Sequence, residues 1–157
     1  MTIEATICHI LNDDRILLKK ATRGISKGKW NSPGGKIDEN ENPEQNAIRE
    51  VYEETGLKIK NLFYHGEINF FLRGKNEIAF QGHLFSTNDF TGEIRSTDEG
   101  ELKWFKVNEI PFEEMWPDDI YWMNLMLSKK KFDADFYFNE DNKEIIKHEI
   151  RMKEDGN

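Results

Sequence analysis

The segment that most constrains the fold runs from Asn42 to Gly56, because it carries the start and stop signals of one helix. Asn42 is a favourable N-cap, Pro43 suits the first helical position, and Gln45 stands where a capping box needs a glutamine. Gly56 is typical of the position just beyond a helix C-terminus. The sequence therefore predicts a helix from Pro43 to Thr55.

Three acidic residues crowd the C-terminal end of this helix, where the helix dipole disfavours negative charge. Glu50, Glu53 and Glu54 lie three and four residues apart, and each like-charged pair costs about 0.2–0.5 kcal/mol. A single neighbouring cation, Arg49, does not balance them. The face is either a solvated surface or a set of oxygen ligands for a hard divalent cation, and the helix alone leaves both readings open.

The adjoining arc of the same helix is apolar and is expected to face the core through Ala47, Ile48, Val51 and Tyr52. Before the helix, residues 21–42 form a long loop that contains glycines and lysines. A loop of this length inside a compact domain usually has a function.

Composition and charge narrow the class of protein. The chain has 157 residues, which suits a single domain over 1–157, and no apolar run approaches the length that spans a bilayer. A net charge of −8 argues against a protein that coats a nucleic acid polymer. The N-terminus does not resemble a signal peptide, and the lone Cys8 is expected to be a buried strand residue. We therefore expect a cytoplasmic protein without a membrane partner.

The remaining pattern predicts an α+β fold in which a mixed sheet lies between helices. Residues 118–130 form a second helix, and residues 110–115 form a short helical or turn piece. The predicted strands cover residues 3–11, 16–19, 57–64, 67–72, 77–86 and 101–107, followed by a hairpin of 132–138 and 145–152.

The loop and helix together resemble the signature of the Nudix hydrolases, which lies within GGKIDENENPEQNAIREVYEETGL. The resemblance implies the Nudix fold and cleavage of a diphosphate bond by an activated water, with Mg²⁺ as cofactor and Mn²⁺ as an alternative ion. The matching positions are Gly35, Glu41, Arg49, Glu50, Val51, Glu53, Glu54, Gly56 and Leu57.

The resemblance also implies roles for individual residues. Glu50 and Glu54 are the main metal ligands, and Glu53 is a further ligand or the base that acts on water. Arg49 orients the glutamates, and the backbone carbonyl of Gly34 is an additional ligand.

Two further glutamates have weaker assignments. Glu99 resembles the loop glutamate that many members bring to the metals, but an exposed turn acid explains it equally well. Glu41 precedes the helix N-terminus, where the helix dipole favours a negative charge. Support of the helix is therefore enough to explain Glu41 without any other role.

Segments that lie beyond the signature or overlap its start are similar to the mammalian-type oxidised-purine nucleoside triphosphatases of this family. These segments read KWNSPGGK, IPFEEMWPDDIYW and LSKKKF. The resemblance implies hydrolysis of nucleotides of the 8-oxo-dGTP and 2-oxo-dATP type to the monophosphate and pyrophosphate, by a protein that we expect to be a monomer. The implied substrate-binding residues are Thr6, Asn31, Pro33, Gly34, Gly35, Lys36, Phe70, Trp116, Pro117, Asp118 and Asp119.

Within this set, Asn31, Asp118 and Asp119 are expected to hydrogen-bond the purine edge, and Trp116 to stack on the ring. The residues themselves leave another reading open, because aspartates at a helix start also cap the helix. If the paired acids have raised pKa values, one carboxyl stays protonated and donates while its neighbour accepts.

The chain departs from this family pattern beside the expected pocket. Ile25 stands where the family has an aromatic residue, Ser32 and Pro33 differ before the double glycine, and Ala21 replaces a lysine. These changes concern substrate preference. The alternatives are a Nudix pyrophosphatase for another nucleoside diphosphate derivative and a non-catalytic nucleotide-binding module.

Overall fold

The computed structural model describes residues 2–95 and 100–154. In chain order the elements are β1 (Ile3–Asn12), β2 (Arg15–Ala21), β3 (Trp30–Asn31), α1 (Pro43–Thr55), β4 (Lys58–Lys60), β5 (Phe63–Phe71), β6 (Phe80–Thr87), β7 (Asp89–Thr91), β8 (Gly100–Lys106), α2 (Asp119–Leu127), β9 (Phe132–Phe138) and β10 (Ile145–Met152). Short 3₁₀ turns at Val107–Glu109 and Phe112–Glu114 precede α2. Glu99 lies outside the described residues.

An eight-stranded mixed sheet organises the molecule. Its strands follow the order β10-β9-β5-β6-β1-β2-β3, and β8 also pairs with β2. β1 runs parallel to β6 and β5 parallel to β9, whereas the other pairs in this sheet are antiparallel. A separate two-stranded sheet joins β4 and β7.

Two apolar clusters cover opposite faces of the large sheet. On one face, Ala47 and Val51 of α1 pack with Cys8 and Ile10 of β1. On the other face, Met123 of α2 belongs to a cluster with residues of β2, β5, β6 and β9. The expected α+β architecture, with a mixed sheet between helices, is confirmed. Neither helix, in the part of the chain that the structure describes, is long and apolar enough to cross a membrane.

Helix α1 has the predicted ends. Asn42 and Gln45 form a reciprocal capping box, and Gly56 takes the left-handed conformation with a φ of 85°. The predicted core face is only half right, since Ile48 and Tyr52 are 37% and 41% exposed. The helix is rotated relative to that prediction, so it buries polar residues beside the apolar ones: Asn46, Glu54 and Thr55.

The strand predictions fail where a turn residue interrupts an apolar run. The predicted strand 57–64 is divided because Asn61 adopts a positive φ of 55°, which ends β4. The strand β5 then continues from Phe63 to Phe71 and includes most of the predicted 67–72 strand. The helix α2 ends at Leu127, earlier than predicted, and Lys129 just beyond it has a φ of 58°.

Gly66 permits the contact between β5 and β9. Its φ is 149°, and a Cβ there would lie 1.8 Å from the carbonyl oxygen of Phe132. We expect Gly66→Ala to destabilise the fold by at least about 3 kcal/mol, because backbone strain adds to this clash. Gly24 is a matched control, since its φ is 78° and nothing lies within 4 Å of its Cβ position.

Urea denaturation of both variants measures this difference. Gly24→Ala should lose only about 1 kcal/mol, from left-handed backbone strain alone. Equal losses in the two variants would contradict the close approach of β5 and β9 at Gly66.

Candidate active site

Two consecutive glycines bring the loop before α1 against β1 and the helix. The backbone of Thr6 donates to the carbonyl of Gly35 at 2.9 Å. Gly34 has a φ of 138°, and a Cβ there would lie 2.1 Å from the carbonyl oxygen of Thr6. A Cβ on Gly35 would lie 2.8–3.0 Å from the carboxyl atoms of Glu50. Only glycine lets the loop backbone approach both the strand and this carboxylate so closely.

The three glutamates of α1 differ strongly in exposure. The side chain of Glu54 is 2% exposed, that of Glu50 is 21% exposed and that of Glu53 is 51% exposed. Glu54 forms an ion pair with Lys19 and accepts a hydrogen bond from the backbone N–H of Gly34 at 3.0 Å. A solvated surface therefore describes Glu53 alone. Burying a charged carboxylate is costly unless it is paired and hydrogen-bonded, and Glu54 meets both conditions.

Arg49 connects the remaining carboxylates. Its Nη1 lies 2.6 Å from Glu53 and its Nη2 lies 3.2 Å from Glu50. On its other side, Nε and Nη2 donate to the two oxygens of Glu41 at 3.0 and 2.9 Å. This bidentate geometry fixes the guanidinium plane, so Arg49 is held in the position from which it contacts the acids of α1.

Glu41 is a central part of the site, beyond the dipole support expected from its sequence position. The hydrogen bonds from Arg49, then from Asn46 and from the backbone of Asp38, lower the pKa of Glu41 to about 2. Asn46 donates to Glu41 at 2.6 Å and accepts from the Thr6 hydroxyl at 2.6 Å. Sequence reasoning missed Asn46. Its only signal was a polar residue beside the apolar arc of an amphipathic helix.

The donor set suits a hard divalent cation. Carboxylate oxygens of α1 lie against the loop backbone at Gly34 and Gly35, and Mg²⁺ binds through one or two carboxylates while keeping other oxygen ligands. Across residues 2–95 and 100–154, no three acidic, histidine or cysteine side chains converge on a closed metal centre. The described residues therefore offer an open set of oxygen donors that fits such a cation, and not an all-protein cage.

On the α2 face of the sheet lies a cavity of about 230 Å³. Its walls are mainly apolar, with a few polar groups, as in typical small-molecule sites. Of the predicted substrate-binding residues, Pro33, Lys36 and Pro117 do not line it. Those that do are Thr6, Asn31, Gly34, Gly35, Phe70, Trp116, Asp118 and Asp119.

Two adjacent acids are buried at this cavity. Asp118 is 2% exposed and Asp119 is 9% exposed. Burial raises the pKa of Asp118 to about 6, although a hydrogen bond from Trp122 opposes the shift. Burial, followed by the charge of Asp118, raises the pKa of Asp119 well above its ordinary value.

The side chain of Asp118 does not cap α2. Instead, one of its oxygens accepts from the indole N–H of Trp122 at 2.8 Å. Its other oxygen is buried without a hydrogen-bond partner among the described protein atoms. The helix-cap reading is therefore wrong for Asp118, and one of its acceptor oxygens is left without a partner among the described protein atoms.

Trp116 is held at the cavity by a loop that precedes α1. Its indole N–H donates to the hydroxyl of Ser26 at 2.8 Å. Its ring packs edge-to-face on Phe138 with centroids 5.5 Å apart. Ser26 and Ile25 also line the cavity, so the loop forms one wall and orients the tryptophan that forms another.

Comparison with known proteins identifies the class that this fold and site define. Residues 1–126 match the NUDIX domain family, and the chain belongs to that family. Nudix hydrolases generally use divalent metals and act on small nucleotide substrates.

Particular relatives match nearly the whole chain. The oxidized purine nucleoside triphosphate hydrolase of Mus musculus is 38% identical over 146 residues, covering 93% of this chain and 92% of the relative. The protein of the same name from Danio rerio is 39% identical over 150 residues, covering 96% and 95%. Among solved structures, a mutator MutT protein from Bacillus halodurans is 25% identical, with a TM-score of 0.82 and coverage of 94% and 97%.

Proposed function

We propose that this protein hydrolyses oxidised purine nucleoside triphosphates of the 8-oxo-dGTP and 2-oxo-dATP type to the monophosphate and pyrophosphate. Such a reaction removes damaged nucleotides from the pool that supplies DNA synthesis. The observation that carries the proposal is the buried Asp118–Asp119 pair, which lies in the same cavity as the Gly34–Gly35 loop that contacts the carboxylates of α1. The cavity thus extends from the acid pair, which we propose reads the base, to the loop whose backbone contacts the carboxylates of α1.

The acids of α1 supply the metal-binding half of this proposal. Glu50 and Glu54, with the backbone carbonyl of Gly34, would hold Mg²⁺, with Mn²⁺ as an alternative ion, and of the two roles expected for Glu53 we assign it the role of base. A divalent ion in such a site neutralises phosphate oxygens and lowers the pKa of bound water. Glu99 remains a proposed further ligand.

The protein groups then have separate tasks in the reaction. Glu53, the most exposed carboxylate, accepts a proton from the attacking water, and Arg49 holds Glu53 in place at 2.6 Å. The water oxygen bonds to phosphorus as the bridging phosphorus–oxygen bond breaks. The bond that breaks lies at the oxygen bridging the α- and β-phosphorus atoms, so the β- and γ-phosphates separate together as pyrophosphate and the α-phosphate stays on the nucleoside as the monophosphate.

The base is read by groups with complementary hydrogen-bonding character. Burial raises the pKa of both acids, so one carboxyl of the pair can stay protonated; we assign the donor role to Asp119 and the acceptor role to Asp118 through its unpartnered oxygen. Asn31 adds an amide, and Trp116 stacks on the ring. Transfer of the proton within the pair would adapt the site to either oxidised guanine or oxidised adenine, and the two substrates should then differ in their pH profiles.

A steady-state comparison of oxidised and unmodified purine triphosphates with Mg²⁺ tests the proposed function, with separate detection of phosphate and pyrophosphate. We expect kcat/KM for 8-oxo-dGTP to exceed that for dGTP, and pyrophosphate to be the inorganic product. Faster cleavage of a dinucleotide, a nucleotide sugar or a capped RNA end would instead assign another Nudix activity. Binding without turnover would assign a nucleotide-binding module.

We further infer that the enzyme acts as a single-domain monomer in the cytoplasm. The support for a reducing compartment is its one cysteine, Cys8, which is completely buried in β1 and unpaired. The net charge of −8 argues against a nucleic acid polymer as partner.

The contact between Ser26 and Trp116 leads to a kinetic prediction. Ser26→Ala should raise KM for 8-oxo-dGTP about three- to tenfold with little change in kcat, because one net hydrogen bond that orients the stacking ring is lost. Trp116→Phe removes the same bond from the other side. In a double-mutant cycle the two changes should be non-additive, and simple additivity would contradict the proposed orienting role.

A further inference from the structure

A second recess opens directly beside the cavity of about 230 Å³ that Asp118 and Asp119 line, which we call the base cavity. It measures about 410 Å³ and shares three walls with that cavity, namely Ile25, Leu72 and Phe80. The two spaces therefore lie side by side, separated by these three side chains. Ile25 is the common wall contributed by the loop, and its side chain is 49% exposed.

The recess lies at the end of the base cavity remote from the acid pair. Along β1, Ile7 and His9 lie on the same face of the sheet. The ring centroids of His9 and Trp122 are 5.7 Å apart, and Trp122 donates a hydrogen bond to Asp118, so the His9 end of β1 is the end near the acid pair. The recess is instead lined by Ile3, whose backbone bonds that of Ala79. Ile3 and Ile7 are separated by about 13 Å at the usual rise of a strand.

Half of the residues that line only the recess are apolar and suited to an apolar group. They are Ile3, Ile78 and Ala79. The charged residues that line the recess, Arg73, Lys75 and Glu77, are exposed, so their charges remain solvated. An apolar substituent that enters the recess would leave water without displacing a buried polar contact.

We propose that the recess receives an apolar substituent on the purine, attached at the edge remote from the edge that Asp118 and Asp119 read. The enzyme then also hydrolyses purine nucleoside triphosphates that carry a bulky alkyl or aryl group at C8. This inference rests on the proposed function, because it takes the acid pair as the reader of the amino and carbonyl edge. Water still attacks phosphorus, and the products are the modified monophosphate and pyrophosphate.

Positional isomers of one adduct class test the inference. With the full-length enzyme and Mg²⁺, we expect kcat/KM for 8-phenyl-dGTP to lie within about tenfold of the value for 8-oxo-dGTP. N2-benzyl-dGTP places its ring at the edge read by the acid pair, against the buried Asp118 and Asp119, and should react at least about a hundredfold more slowly. A methyl or methylene group alone accounts for only about 10–200-fold discrimination in an apolar pocket.

Variants that fill the recess locate the substituent. Ala79→Phe and, as a second variant, Ile3→Phe should lower kcat/KM for 8-phenyl-dGTP at least about tenfold and leave 8-oxo-dGTP hydrolysis unchanged, because both residues line the recess but not the base cavity. Ile146→Phe is the matched control, since Ile146 is 63% exposed on β10 and lines neither space. Retained 8-oxo-dGTP hydrolysis also reports that each variant is folded.

The outcomes separate this inference from the proposed function. Cleavage of 8-oxo-dGTP without cleavage of 8-phenyl-dGTP would overturn the inference and leave the proposed function standing. Failure to cleave either nucleotide would overturn both. Cleavage of 8-phenyl-dGTP that Ala79→Phe and Ile3→Phe leave unchanged would place the substituent elsewhere and overturn the inference.

Discussion

Replacing Glu53 by glutamine should lower kcat for 8-oxo-dGTP by about 10²–10⁴-fold, the usual contribution of a general base. Glutamine keeps the size of the side chain but cannot take a proton from water. The side chain of Glu53 is 51% exposed and its ion pair with Arg49 is on the surface, so the change in unfolding free energy should stay within about 1 kcal/mol. Because the variant stays folded, we expect it to bind the nucleotide with nearly unchanged affinity while turnover is lost.

Single-turnover kinetics and equilibrium binding of a slowly hydrolysed nucleotide separate these effects. Glu44→Gln is the matched control, because Glu44 lies on the exposed first turn of the same helix. That control should retain normal kcat. Normal hydrolysis by Glu53→Gln would show that another group accepts the proton.

The same exchange at Glu54 is a poorer test of catalysis. Glu54 is buried and paired with Lys19, and removal of one partner of a buried ion pair is strongly destabilising. Glu54→Gln should therefore lose activity and stability together. The contrast in stability between Glu53→Gln and Glu54→Gln is itself an expected consequence of their different burial.

Local signals were sufficient to predict α1 and its ends. The capping box of Asn42 and Gln45 depends on residues three positions apart, and the stop at Gly56 depends on one conformational preference. Such interactions lie within a single element, so the sequence reports them directly. The division between β4 and β5 was missed because Asn61 also tolerates extended structure, and only the tertiary fold selects its positive φ.

The parts of the site that were missed depend on contacts between distant segments. Lys19 pairs with Glu54 across 35 positions, and Ser26 bonds Trp116 across 90. Neither spacing has a local signature. The exposure of Ile48 and Tyr52 has the same origin, because the rotation of α1 is set by its polar contacts with the loop as well as by its apolar arc.

A second large effect is expected at the acid pair. Asp118→Asn should lower kcat/KM for 8-oxo-dGTP by about 10²–10³-fold, consistent with the loss of one charged hydrogen-bond partner in a buried site. The amide oxygen of the variant would remain bonded to the Trp122 N–H. Its NH₂ group would then occupy the position of the unpartnered Asp118 oxygen. A donor would thus face the donors of the guanine edge.

The same substitution should stabilise the fold above neutral pH. A carboxyl whose pKa is raised by folding binds protons more tightly in the folded chain, so its contribution to stability is greatest at low pH and falls as the pH rises through the folded pKa. For Asp118 that window runs from its ordinary value of 3.8 to about 6. The asparagine side chain of the variant carries no charge, and the difference amounts to about 3 kcal/mol at 1.36 kcal/mol per pKa unit.

Urea denaturation at pH 4 and pH 8, together with pH profiles of kcat/KM, measures both consequences. The unfolding free energies of wild type and Asp118→Asn should be close at pH 4 and diverge in favour of the variant by pH 8. Asp14→Asn, an exchange at an exposed turn residue, should show no such divergence.

Since the charge of Asp118 contributes to the raised pKa of Asp119, its removal should also lower the pKa of Asp119. A variant that is less stable than wild type at pH 8 would contradict the burial of an ionising carboxyl at this cavity. Greater stability with reduced activity would instead indicate that the acid pair is retained for base recognition at the expense of stability.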